Sequence, residues 1–84
     1  MTLKLLYFAH LREALGTGGE DLAVPAHVTD VRTLRAHLAA RGGTWKILEE
    51  SQNLRTAVNQ QMAGQDSLIA AGDEVAFFPP VTGG

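Results

Sequence analysis

The residues that could do chemistry stand at the end of the sequence, where the last two are Gly83 and Gly84. A terminal glycine carboxylate can be activated, for example as an acyl adenylate, after threading through a narrow slot in another protein. Glycine suits this task, because a backbone without Cβ atoms approaches catalytic groups closely and adopts unusual dihedral angles easily. We therefore interpret Gly84 as the reactive residue and Gly83 as its unhindered neighbour. The alternative is a frayed chain end, since termini are often disordered.

A stiff segment precedes the glycines. Pro79 and Pro80 cannot donate a backbone hydrogen bond, so a strand must end before them, and they favour extended backbone in the residues that follow, Val81 and Thr82. We expect residues 79–84 to form a flexible C-terminal tail that spans roughly 20 Å at full extension. That length is enough to bring the terminal carboxylate deep into a partner protein.

Composition excludes several classes of function. The chain has 84 residues, which fits one small domain over residues 1–84. It has no cysteine, so disulfides, thiolate metal sites and cysteine nucleophiles are excluded. A net charge of −2 argues against a nucleic-acid surface. Without a long apolar stretch or a signal-peptide pattern, we expect a cytoplasmic protein with no membrane contact.

Metal and catalytic groups are also not evident in the sequence. His10, His27 and His37 lack metal-ligand spacing and fall on different predicted elements, so we expect no metal site. No nucleophile and base, and no facing pair of carboxylates, stand out. We therefore expect the chain to catalyse nothing alone and to bind no cofactor itself.

Side-chain periodicity predicts five strands and one main helix. Alternation predicts strands over 2–9, 20–24, 54–59, 61–63 and 74–78. Val31, Leu34 and Leu38 recur at helical spacing, with Thr29 as the expected N-cap. Three side chains are expected on the outer face of this helix: Arg32, Arg35 and His37. A second short helix is predicted over 45–50.

The order of these elements predicts an α+β fold. Two strands, a helix and a return of three strands are typical of the β-grasp (ubiquitin-like) roll, a mixed sheet with one main helix across one face. The first and last strands are the most apolar, so they should be central and parallel. The core then takes one face of these strands, with Leu3, Leu5, Tyr7, Val58, Val75 and Phe77.

The opposite face of the sheet is the predicted docking surface. By strand parity, Leu6 and Ala76 point away from the helix together with two aromatic residues, Phe8 and Phe78. With Met62 these would make an apolar patch beside the base of the tail. Arg12 and Lys4 could flank the patch and pair with acidic groups of a partner. The alternative is that loops fold back over these side chains.

The sequence from Gly72 to Gly84, GDEVAFFPPVTGG, resembles the C-terminus of the small subunits of molybdopterin synthases. The resemblance extends over essentially the whole chain. Its shorter matches are LLYFA with LRE in the first strand and turn, VRTLRAHL in the helix and AVNQ in the middle strand. The tail motif is the most specific of these matches.

The resemblance implies a sulfur carrier. A separate ATP-using activating enzyme, similar to those that activate ubiquitin, would adenylate the carboxylate of Gly84, which is then converted to a thiocarboxylate. The tail would insert into the large synthase subunit, in a two-plus-two heterotetramer, and the sulfur would attack a cyclic pyranopterin precursor. Two such deliveries build the dithiolene that later holds molybdenum. Phe8, Met62 and Phe78 match the family's hydrophobic docking positions.

Two alternatives stay open at this point. The chain could be another sulfur carrier of the same fold that serves thiamine synthesis or tRNA thiolation, although the FFPPVT stretch argues against this. It could also be a ubiquitin-like conjugation tag or an interaction module. A covalent adduct of Gly84 with lysine would distinguish conjugation from simple binding.

Overall fold

The computed structural model describes residues 1–79, which form five strands and four helical segments. In chain order these are β1 (Thr2–Tyr7), α1 (Ala9–Leu15), β2 (Gly19–Ala23), α2 (Val31–Ala39), a 3₁₀ helix (Gly43–Lys46), α3 (Ile47–Glu50), β3 (Arg55–Val58), β4 (Gln61–Ala63) and β5 (Glu74–Phe78). No helix in this part of the chain is both long and apolar enough to span a membrane.

The strands make one mixed sheet in the order β2-β1-β5-β3-β4. The first and last strands are its central pair and run parallel, while the other neighbours are antiparallel. This confirms the predicted β-grasp architecture. A central strand has a hydrogen-bonded neighbour on each edge and is therefore more buried than an edge strand, which agrees with the apolar sequences of β1 and β5.

The core lies between one face of the sheet and α2. Leu3, Leu5 and Tyr7 of β1 and Val75 and Phe77 of β5 are almost completely buried. They pack in one cluster with the apolar stripe of α2, which consists of Val31, Leu34 and Leu38. The 3₁₀ helix and α3 close one end, where Leu48 is buried and Trp45 and Ile47 pack partly against the cluster. The predicted core is therefore confirmed, with Val58 at its margin.

The start of α2 differs by one residue from the prediction. Asp30, not Thr29, is the N-cap, because the Asp30 carboxylate accepts a 2.8 Å hydrogen bond from the Thr33 backbone N–H. The Thr33 hydroxyl in turn accepts hydrogen bonds from the backbone N–H groups of Thr29 and Asp30, at 3.0 and 3.1 Å. The hydrogen bonds from Thr33 also hold the pKa of Asp30 below its ordinary value.

Arg35 corrects a second expectation about α2. Its side chain is buried rather than on the outer face. Its Nε donates to the carbonyl of Leu48, and its Nη2 donates to the carbonyl of Ser51 over 2.7 Å. These carbonyls lie at the C-terminal end of α3, where a cation is favoured. The expectation was wrong because α3 packs back against α2 and covers this side of the helix. Burial lowers the pKa of Arg35 from its ordinary value.

Candidate docking surface and tail

The tail begins at the middle of the sheet. β5 ends at Phe78, and half-buried Pro79 follows it outside the strand. Because β5 lies between β1 and β3, hydrogen bonds on both sides fix the direction in which the chain leaves the sheet. The other predicted tail and reactive positions, Pro80, Val81, Thr82, Gly83 and Gly84, lie outside the described residues.

An apolar row crosses the face of the sheet that is opposite α2. The strand register aligns Leu6 with Ala76, Ala76 with Ala57, and Ala57 with Met62. The two alanines are largely buried, whereas Met62 at the end of the row is 62% exposed. Small side chains in the middle and a large exposed one at the edge produce a shallow apolar floor. We call this side of the sheet the open face.

Phe8 extends the open face at the end where the tail begins. Its backbone is extended, and its N–H donates to the carbonyl of Phe77 over 3.1 Å, so it continues the register of β1 by one residue. Phe8 therefore lies level with Phe78, one strand away, and the two have the same parity as Leu6 and Ala76. Phe8 is 47% exposed and Phe78 is half-buried. The structure thus brings together two of the three predicted apolar docking residues at the root of the tail.

The turn after Phe8 explains why β1 stops before residue 9. Ala9 has a φ of 54°, in the left-handed region that costs a residue with a Cβ atom about 1–2 kcal/mol. The chain then enters α1, in which the N–H groups of Leu11 and Arg12 point back to the carbonyl of Phe8, at 3.1 and 3.4 Å. Phe8 is therefore held from both sides, by β5 through its N–H and by α1 through its carbonyl.

Arg12, the predicted charged docking residue, lies on α1 one turn after Phe8 and is exposed. Its side chain passes over Gly18, where an added Cβ would come within 3.1 Å of the Arg12 Nε. Gly18 thus leaves room for the guanidinium beside the loop that leads into β2. Lys4, by contrast, lies two rows away and opposite two acidic residues, Asp21 and Glu74.

Sequence reasoning missed one residue of the open face, Arg55. It lies opposite Phe78 in the pairing of β3 with β5 and is exposed. Its parity relative to Ala57 would have placed it on this face, but only the register of β3 against β5 shows that it is next to the tail. Arg55 therefore borders Phe78, whereas Arg12 lies one helical turn after Phe8 with its side chain over Gly18.

The histidines do not form a metal centre in residues 1–79. The rings of His27 and His37 are 6.0 Å apart, but no group of three or more His, Asp or Glu residues in the described part of the chain could hold a metal ion. The described residues therefore offer the open face and the root of the tail as the candidate site.

Comparison with known proteins identifies the family of the chain. The model of the ThiS family matches residues 5–84. The chain belongs to the ThiS family. Among its relatives, the molybdopterin synthase sulfur carrier subunit of Escherichia coli (strain K12) is 45% identical to this chain over 82 residues. The aligned region covers 98% of this chain and 99% of the relative. The resemblance identified from the sequence is thereby confirmed.

Solved structures show the same fold in other proteins. SAMP1 from Haloferax volcanii superposes with a TM-score of 0.78 at 26% identity, and the match covers both chains completely. The complex of subunits 1 and 2 of the molybdopterin-converting factor from Helicobacter pylori contains a chain that matches with a TM-score of 0.67 at 20% identity, again over both chains. At that identity the second likeness shows the fold alone. The roles of Phe8, Met62, Phe78 and Arg12 in binding stay predictions.

Proposed function

We propose that this ThiS-family chain is the sulfur carrier subunit of a molybdopterin synthase. The observation that carries the proposal is the 45% identity to the Escherichia coli sulfur carrier subunit, which extends over 98% of this chain. The architecture supports it, because the central strand β5 brings Pro79 to one end of the open face, beside Phe8 and Phe78. We also propose that the chain acts in the cytoplasm.

The proposed chemistry takes place at the carboxylate of Gly84. An activating enzyme that binds ATP would join this carboxylate to the adenylyl group with release of pyrophosphate. Sulfide would then displace AMP and leave a thiocarboxylate. In the large synthase subunit, the thiocarboxylate sulfur would attack a carbon of the cyclic pyranopterin precursor and replace an oxygen substituent there. Water would then cleave the acyl–sulfur bond and return the carboxylate of Gly84, and a second carrier would deliver the second sulfur of the dithiolene in the same way. ATP is thus a substrate of the partner and is not held by this chain.

The described residues supply positioning rather than catalysis. Ordering the tail in each partner costs about 1–2 kcal/mol per residue, and the two prolines reduce this cost by restricting the free chain. Phe8, Met62 and Phe78 offset the remainder if the partner covers them, since apolar burial contributes about 25 cal/mol per Å². The open face would therefore dock against each partner while the tail reaches the reacting groups.

The direct test is the intact mass of the chain after incubation with ATP, a sulfur source and the activating enzyme. We expect the gain that corresponds to replacement of one oxygen by one sulfur. Deletion of Gly84, or addition of one residue after it, should abolish this gain and the transfer of sulfur while the thermal unfolding curve stays unchanged. An unchanged mass with a competent activating enzyme, or full activity of either tail variant, would contradict the proposal.

A second candidate function comes from the similarity to SAMP1, other structures of which are described as small archaeal modifier protein 1. A modifier would form a covalent bond between Gly84 and an amino group of another protein. The same incubation distinguishes the two functions when other cellular proteins are included. A lysine adduct found by mass spectrometry of tryptic peptides would support conjugation, whereas a thiocarboxylate without adducts supports the sulfur carrier.

A further inference from the structure

The five arginines of the chain divide into two groups. Three have partners within the folded chain: Arg32 pairs with Asp66, Arg35 binds two carbonyls of α3 and the residue after it, and Arg41 pairs with Glu20. The other two, Arg12 and Arg55, are exposed and form no ion pair or side-chain hydrogen bond within residues 1–79. Of the two arginines without internal partners, Arg55 lies opposite Phe78 and Arg12 follows Phe8 by one helical turn.

These two arginines lie on opposite sides of the root of the tail. Arg55 is opposite Phe78 on β3, which is one neighbour of β5. Arg12 is on α1, one helical turn after Phe8. The helix α1 follows β1, which is the other neighbour of β5. Since β1 and β3 are the two neighbours of β5, Arg12 and Arg55 lie on opposite sides of the strand that leads into the tail.

The opposite end of the open face has a different charge pattern. There Lys4 lies between two acidic residues in the register, Asp21 on β2 and Glu74 on β5. The positive charge of Lys4 is therefore compensated by its neighbours in the register, whereas Arg55 has the apolar Phe78 as its partner on β5. Arg12 is next to Glu13 in the sequence but forms no ion pair within residues 1–79. The two ends of the open face therefore differ, with acidic residues around Lys4 at one end and Arg55, which has no ion pair in the described residues, beside the root of the tail at the other.

The reach of the tail limits what these cations can bind. Five residues follow Pro79, and a fully extended chain of that length spans about 17 Å. When the tail is threaded into a slot, Gly84 and the phosphates that react with it are therefore far from the root. Arg12 and Arg55 instead meet the surface around the mouth of the slot.

We propose that the large subunit of molybdopterin synthase presents carboxylates on both sides of the mouth of its tail slot, where they pair with Arg12 and Arg55. This assignment rests on the proposed function and adds Arg55, and the paired arrangement, to the docking residues predicted from the sequence. Charge pairs at the rim of an interface mainly accelerate association and fix orientation. The two arginines therefore guide the carrier so that the tail faces the slot.

The test is the association of the intact chain with the large subunit of the same organism, measured by stopped-flow fluorescence at about 50 mM and about 500 mM salt. Arg55→Gln and Arg12→Gln should each lower the association rate constant about three- to ten-fold at low salt, with a smaller change in dissociation. The difference from the wild type should shrink at high salt. Arg55→Lys should recover most of the rate, because it retains the charge.

Arg32→Gln is the matched control, since Arg32 is an exposed arginine that already has a partner at the start of α2. It should leave the association rate unchanged, and thermal unfolding should show that all variants fold. If Arg55→Gln associates like the wild type at low salt while Phe78→Asp abolishes binding, the assignment of Arg55 is wrong and the proposed function stands.

The wild-type chain provides the outcomes that separate this assignment from the proposed function. If it gains a thiocarboxylate but does not bind the large subunit, the charge pairing is wrong and the carrier chemistry stands. If it neither gains sulfur nor binds, both are wrong.

Discussion

Arg41 binds the carboxylate of Glu20 with both terminal nitrogens, at 2.8 and 2.9 Å. The same carboxylate accepts a hydrogen bond from the hydroxyl of Tyr7 at 3.1 Å, and the Arg41 guanidinium lies 4.3 Å from the centre of the Trp45 ring. This network ties β2 and the 3₁₀ helix to the core. The hydrogen bonds from Arg41 are the main reason that the pKa of Glu20 is lower than usual.

Replacement of Glu20 by Gln should therefore change how stability depends on pH. A depressed pKa means that the contribution of the carboxylate is fully present above the ordinary value of 4.5 and is lost as the pH falls through the lower value of the folded chain. We expect Glu20→Gln to lower the free energy of unfolding by about 1 kcal/mol at pH 7. Urea unfolding between about pH 7 and pH 3 should show this difference shrinking.

Glu13→Gln is the control for this experiment, because Glu13 is an exposed carboxylate on α1. It should leave the free energy of unfolding nearly unchanged at pH 7. A deficit of Glu20→Gln that stays constant down to about pH 3 would show that the ionised carboxylate is not the source of the stabilisation.

Arg35→Met should be among the more destabilising changes on α2. Methionine fills much of the same volume, but it leaves the carbonyls of Leu48 and Ser51 without their donors. We expect a loss of about 2–3 kcal/mol in the free energy of unfolding, measured with urea. Arg32→Met, on the exposed side of the same helix, should change it by less than about 0.5 kcal/mol. Equal small effects would mean that α3 does not depend on Arg35.

The contrast between Arg32 and Arg35 shows where sequence reasoning ends. The spacing of Val31, Leu34 and Leu38 predicts which side of α2 faces the sheet, because that pattern is local. It does not show that the short helix α3, which begins at Ile47, packs against another side of α2. Nothing in the local sequence distinguishes a solvated arginine from one that binds the end of α3.

For the open face, too, the sequence predicts which side of the sheet a residue is on but not which residues of other strands lie next to it. Alternation over residues 2–9 and 74–78 predicts that Phe8 and Phe78 lie on one side of the sheet, and the structure agrees. Arg55 could not be placed beside the tail, since alternation in β3 fixes its face but not its register against β5. A shift by two residues would have kept the face and moved Arg55 by two positions along the sheet.

Gln60→Gly should stabilise the chain. Asn59 and Gln60 form the two-residue turn between β3 and β4, and both have positive φ, 51° and 69°. Turns of this type favour glycine, and Gln60 makes no side-chain hydrogen bond within residues 1–79. We expect a gain of about 0.5–1 kcal/mol in the free energy of unfolding, measured with urea.

Asn59→Gly is the matched change at the neighbouring position. It relieves the same kind of backbone strain but removes side-chain hydrogen bonds to Asp73 and to the backbone N–H of Glu74, both at 3.0 Å. It should therefore destabilise the chain. If Asn59→Gly stabilised the chain and Gln60→Gly destabilised it, the conclusion that the Asn59 side chain stabilises the turn and the Gln60 side chain does not would be wrong.

Phe78→Asp should weaken binding to the large synthase subunit far more than it lowers stability. Phe78 is half-buried on the open face, where the opposite residue is exposed Arg55, so a carboxylate at this position can reach solvent. At an interface the same carboxylate would be buried against apolar groups, which is strongly unfavourable. We expect affinity, measured by isothermal titration calorimetry, to fall at least about 100-fold, while the free energy of unfolding falls by about 1–2 kcal/mol.

Leu68→Asp is the control that tests whether the loss of affinity is specific to the open face or follows from placing a charge at any exposed apolar residue. Leu68 is 78% exposed, but it pairs with Asp30 beside the start of α2, on the helix side of the sheet. Its replacement should leave the affinity unchanged. If Phe78→Asp loses as much free energy of unfolding as of binding, Phe78 belongs to the core. If Leu68→Asp weakens binding as strongly, the partner covers the helix side and the open face is not the docking surface.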